Sequence, residues 1–149
     1  MNLKLQLHQH CQEKLLSRRT TIETAIGGVE ESMRQEGKST AGDKHNTARA
    51  NMQLERERLG NSLKQIDILL MQLKRIPTDG ESDPIRMGSL VKTTAGSFYM
   101  AVPVDLCSIE GEPVYCVGPK SPVAQELLGK SNGQSYSLNG QTFTILKVD

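Results

Sequence analysis

Few of the residues able to ionise, ligate or attack stand in useful arrangements in this 149-residue chain. His8, His10 and Cys11 bring two imidazoles and a thiol close together. No second cluster completes a tetrahedral metal site, and the stretch is expected to be a frayed N-terminus. Cys107 and Cys116 lack a basic partner for nucleophilic catalysis, because the only histidines are His8, His10 and His45. Three cysteines are an odd number and lack C-x-x-C spacing, which fits reduced, buried thiols better than a disulfide frame or zinc ribbon. The polar stretch Gly37 to His45 remains, with Glu36 just before it. Asp43 is the only acid inside it and suits the N-cap of a following helix, while Lys38, Lys44 and Arg49 offer cations to a phosphate or an acidic partner surface. No set of nucleophile, base and oxyanion donors can be assembled, so the chain is not expected to be an enzyme in its own right.

The elements that must carry these residues follow from periodicity. Cys11, Leu15, Ile22, Ile26, Val29 and Met33 are separated by 4, 7, 4, 3 and 4, and Met52, Leu59, Leu63, Ile66, Leu70 and Leu73 by 7, 4, 3, 4 and 3. Both are heptad seams, and they predict helical arms over roughly residues 8–35 and 45–75. Between them, Gly37 to Lys44 contains two glycines and small polar residues, so the arms form an antiparallel αα-hairpin with a tip at about 36–46. Ile76 to Pro84 has linker composition. From residue 85 the period changes to that of strands, interrupted by one helix whose punctuation is visible: Ser121 as N-cap, Pro122 at the first helical position, Gly129 at the stop. Asn139-Gly140 marks a final hairpin. The expected class is α+β: a coiled-coil hairpin over 1–76, a linker over 77–84 and a small β-rich domain over 85–149.

Composition agrees with this division. All five aromatics, Phe98, Tyr99, Tyr115, Tyr136 and Phe143, fall in the last part. Residues 1–76 hold 13 basic and 9 acidic side chains (net +4), and residues 77–149 hold 5 and 8 (net −3). A mild +4 does not by itself indicate a nucleic-acid binder. No apolar run is long enough to cross a membrane and Met1 to Cys11 has no signal-peptide core, so a cytoplasmic monomer is expected.

A long antiparallel hairpin, a short linker and a small β-domain containing S-P-V-A-Q-E-L-L-G-K resemble the Gre family of bacterial transcript cleavage factors. Ser121, Pro122, Ala124, Leu127, Gly129, Lys130 and Gly133 match that family's S-P-L-A-x-x-L-I-G-K-x-x-G-D segment, and Gly88-Ser89-Leu90-Val91 matches its G-S-x-V strand. The resemblance covers nearly the whole chain. It implies an FKBP-like C-terminal domain that docks on RNA polymerase through Ser121 and Pro122, and a hairpin that enters the secondary channel. It also implies a tip where two carboxylates share the polymerase's Mg²⁺, since a second Mg²⁺ needs oxygen ligands. Here the tip departs from the family: Ser39 and Gly42, or Lys38 and Ala41 in the neighbouring register, stand where the two acids belong. Asp43, and less so Glu36 and His45, are the acids and base left for that role. Lys38, Lys44, Arg49 and Asp43 are the implied tip contacts to polymerase, an RNA 3′ end or a nucleotide. The chain has no cofactor of its own on this reading. The missing acid pair favours modulation of elongation or pausing over cleavage of backtracked RNA. A coiled-coil adaptor unrelated to transcription is the alternative, with Glu55, Arg56, Glu57 and Arg58 as its working surface. A prolyl isomerase is disfavoured because so few rings are available to line its pocket.

Overall fold

The computed structural model describes residues 2–37 and 42–149, with the side chains of residues 42–46 outside the described set. It is an α+β chain: α1 (Leu3–Glu36), α2 (Gly42–Lys74), β1 (Leu90–Thr93), β2 (Gly96–Met100), β3 (Cys107–Ile109), β4 (Glu112–Val117), α3 (Pro122–Leu127), β5 (Ser135–Leu138) and β6 (Gln141–Val148). Two compact units result, one of Leu15–Leu69 and one of Met1–Lys14 with Leu70–Asp149.

The Leu15–Leu69 unit is the paired stretch of α1 and α2. Its seams are those read from the heptads: Leu15, Leu59 and Ile66 are buried, and Ile22, Ile26, Val29, Met33, Met52 and Leu63 are half-buried. Contacts climb one helix as they descend the other, with Arg19 Nε on Asp67 at 2.8 Å, Arg56 on Glu30 at 2.9 Å, and Arg49 Nη1 donating to the Met33 carbonyl at 3.2 Å. Antiparallel pairing is therefore fixed by side chains as well as by the connection. The ion pairs are exposed and contribute at most about 1 kcal/mol each, so the apolar seam carries the association.

In the other unit, six strands lie in the order β3-β4-β2-β1-β6-β5. All neighbours are antiparallel except β2 and β4, which run parallel with Tyr99 opposite Cys116. Two connections are two-residue turns with both residues at positive φ: Asn139-Gly140 (53° and 79°) and Glu110-Gly111 (52° and 80°). That conformation matches the right-handed twist of the flanking strands. The second turn creates β3, a strand that the sequence reading did not place. One face of the sheet packs on α3 through Val91, Phe98, Met100, Tyr136 and Ile145 against Ile85, Val123, Ala124 and Leu127. Burying each such side chain fully is worth roughly 1.5–3 kcal/mol, enough to make six residues of helix hold. Tyr136 also bonds Thr93 Oγ1 through its hydroxyl at 2.8 Å. The opposite face carries Tyr99, Cys107, Val114 and Cys116, all buried.

The frayed N-terminus expected before residue 11 is not found. α1 begins at Leu3, and Leu7 and Cys11 are fully buried. Lys4 Nζ bonds the Gly80 carbonyl at 2.8 Å and His8 Nε2 lies 2.8 Å from the Leu73 carbonyl. The alternation Leu3, Leu5, Leu7 looks strand-like, but only Leu7 is in phase with Cys11 at four residues, and Leu5 is exposed. Residues 77–84 have no regular structure, yet Ser82 bonds Ser89 and the Asp149 carbonyl. Gly88 has a φ of 98°, and a Cβ there would meet Ile76 Cγ2 and the Pro77 carbonyl at 3.1 Å, so only glycine fits this approach.

Candidate functional site

The first candidate is the segment that opens α3. Ser121 Oγ accepts the Ala124 amide at 3.2 Å and donates to the Gly118 carbonyl at 3.1 Å, closing the N-terminus of the helix. Pro122 follows at the first helical position, where its missing N–H costs nothing, and remains exposed. Ala124 and Leu127 are fully buried in the core. Gly129 reverses the chain at φ 85°, and its neighbourhood is locked by Gly129 N to Ile85 O at 2.9 Å and Ile85 N to Lys130 O at 2.8 Å. Lys130 Nζ caps the Ser135 carbonyl at 3.0 Å. Most of these residues thus have a structural role, and Pro122 adds an exposed side chain at the start of the helix.

The second candidate lies where α1 ends and α2 begins. Glu30, Met33, Arg34, Gly37, Arg49, Gln53 and Arg56 line a cleft of about 490 Å³. Arg49 and Arg56 are seven residues apart and share a helix face, while Arg34 reaches in from α1. Arg56 is paired with Glu30, and Arg34 holds Glu31 at 2.6 Å, pulling that carboxyl below the ordinary glutamate range through the hydrogen bond. Arg34, Arg49 and Arg56 against Glu30 and Glu31 leave this group of side chains positive by one charge. Planar donors in that setting suit phosphate or carboxylate oxygens.

The remaining tip residues are placed only in part. Lys38 lies outside the described residues. The backbone of Asp43, Lys44 and His45 belongs to α2, and their side chains lie outside the described set. Since α2 begins at Gly42, the backbone of Asp43 falls inside the first turn instead of at the N-cap expected for it. Glu36 is the last residue of α1 and half-buried. Of the described acids of this region, Glu30 pairs with Arg56 and Glu31 with Arg34.

No protein-family profile matches the chain, and no curated protein does. Among solved structures, that of the transcription factor Gfh1 is similar over 95% of this chain and 92% of that one, at 17% identity and a TM-score of 0.34. So loose a likeness assigns neither fold nor activity.

The N-terminal trio His8, His10 and Cys11, expected to fray and not to bind metal, lies within α1. His8 is spent on the Leu73 carbonyl, and among the described residues no group of three or more His, Cys, Asp or Glu side chains is placed to hold a metal. Cys11 instead turns to the sheet. There the Cys116 thiol is pushed well above the ordinary cysteine range, first by the neighbouring Cys11 thiol and then by burial, and burial raises the Tyr99 hydroxyl likewise. The guanidinium cleft and the thiol pair are the two groupings missed by sequence reasoning. The seven-residue interval of Arg49 and Arg56 was a usable signal for the first, whereas nothing local in the sequence links residue 11 with 116.

Proposed function

We propose that this chain is a Gre-like transcription factor that binds bacterial RNA polymerase and modulates elongation or pausing, with its hairpin entering the secondary channel. The observation carrying the reading is the Ser121 to Gly133 segment, folded as a capped turn of helix with Pro122 exposed, in a chain that begins with a heptad hairpin. On this reading the sheet domain is FKBP-like and Ser121 and Pro122 form the docking loop. The arginine cleft, with Lys38 and Lys44 beside it in sequence, meets phosphate of RNA or nucleotide, or acidic polymerase loops. Modulation is preferred to RNA cleavage because Ser39 and Gly42 stand where the family's two tip acids belong, leaving Asp43, and less so Glu36, as the acids available to the polymerase Mg²⁺.

Two measurements test this. The full chain should co-migrate with core RNA polymerase at micromolar concentration, and failure to do so ends the proposal. On a stalled, backtracked complex, wild type should leave the RNA cleavage rate unchanged. Acceleration lost in Asp43→Ala would replace modulation by a cleavage role. A second reading, a coiled-coil adaptor, draws on Leu54, Leu16 and Ile68, which are exposed on the hairpin. Self-association by analytical ultracentrifugation without polymerase binding would favour it.

A further inference from the structure

Leu7 and Val114 line the same cleft of about 230 Å³, together with Leu90, Ser97 and Lys92, so this stretch of α1 lies against the face of the sheet that carries Leu90, Ser97 and Val114. Cys11 is four residues beyond Leu7 on the same side of α1, an advance of about 6 Å. Cys116 is two residues beyond Val114 on the same face of β4, an advance of about 6.6 Å. The two thiols share a side-chain hydrogen bond, and both are buried. Cys107 does not compete well. It pairs with Val114 across β3 and β4, which makes Cys116 its diagonal neighbour at about 7–8 Å, beyond disulfide reach without backbone movement. Tyr99 stands opposite Cys116 with its hydroxyl buried and without a hydrogen-bond partner among the described residues.

We propose that Cys11 and Cys116 are a modification site: a dithiol that a peroxide-class oxidant converts to a disulfide, pinning the start of α1 to β4. In the first step one sulfur attacks the peroxide, giving a sulfenic acid and water. The second sulfur then displaces a further water, so two S–H bonds are exchanged for one S–S bond and the peroxide takes both electrons. Because its buried setting beside Cys11 keeps the Cys116 thiol protonated, the reaction answers sustained oxidant exposure and not a brief pulse.

The full-length wild-type protein is treated with hydrogen peroxide and its thiols are counted after denaturation. The expected count falls from three to one, and a reductant restores it. Cleavage after Glu110 and Glu112 separates Cys107 from Cys116, so peptide mapping should recover a link between the Cys11 and Cys116 fragments. Closing a loop of roughly a hundred residues should raise the thermal midpoint of the oxidised protein by about 10 °C. Cys107→Ser should keep the whole response and Cys116→Ser should lose it. Three persisting thiols, a link through Cys107, or sulfinic acid at single cysteines would overturn the proposal. The mapping on wild type decides even if a variant fails to fold.

Discussion

Ser121 shows how one side chain can be asked to do two things. Its hydroxyl closes the N-terminus of α3 in both directions, accepting from Ala124 and donating to Gly118, while the proposed function gives it a place on a docking loop. The two roles separate by substitution. Ser121→Ala should cost about 1 kcal/mol in urea unfolding, the usual worth of an N-cap. Ser121→Asp keeps an acceptor for the Ala124 amide and should stay close to wild type in stability. If Ser121 also touches polymerase, the aspartate variant will fold normally yet bind more weakly; equal binding by both would confine the hydroxyl to capping.

The helices carry a different kind of weakness. Gly27 and Gly28 sit inside α1, and a Cβ at either would meet nothing within 4 Å. Glycine in a helix interior costs up to about 1 kcal/mol relative to alanine, so Gly27→Ala with Gly28→Ala should raise hairpin stability by about 1–2 kcal/mol, readable as a higher helix-melting midpoint. An unchanged midpoint would mean that α1 is not continuous there in solution. Glu31 and Glu55 add a pH dependence, since hydrogen bonds from Arg34 and Arg58 hold both carboxyls below their ordinary values. A depressed folded value means stability that is present above the unfolded value, near 4.3, and lost as pH falls through the folded one. Helical signal should therefore stay level from neutral pH to about 5 and decline below about 4. Glu31→Gln with Glu55→Gln should flatten part of that decline. These helices were the most legible elements, because a seam repeated over many turns leaves one periodicity. The start of α1 was obscured by Leu3, Leu5 and Leu7, whose alternation mimics a strand until tertiary burial selects Leu7. β3 was missed because three residues hold no periodicity, and Glu110-Gly111 makes the same turn as Asn139-Gly140 without the Asn or Asp that marks one in a sequence.

For the whole molecule, the small surplus of charge conceals a local one. The chain is +1 overall, yet three arginines converge on one cleft of the hairpin unit. Replacing Arg34, Arg49 and Arg56 with glutamine should weaken polymerase binding by tenfold or more at low salt, and the loss should shrink as salt screens the contacts. A salt-independent effect would point to lost packing instead. Pairings remote in sequence were beyond any local reading: the parallel join of β2 and β4 and the meeting of Cys11 with Cys116 exist only once the sheet is assembled.

The last strand has a consequence for how this protein is made. β6 lies between β1 and β5, and Asp149 exchanges both backbone hydrogen bonds with Leu90. A nascent chain leaving the ribosome can wind α1 and pair it with α2 early, since those contacts need nothing made later. The sheet cannot close until residues 141–148 have emerged. Until then β1 has an open edge, and Leu7 and Cys11, translated before any strand, wait for a surface that is still unfinished.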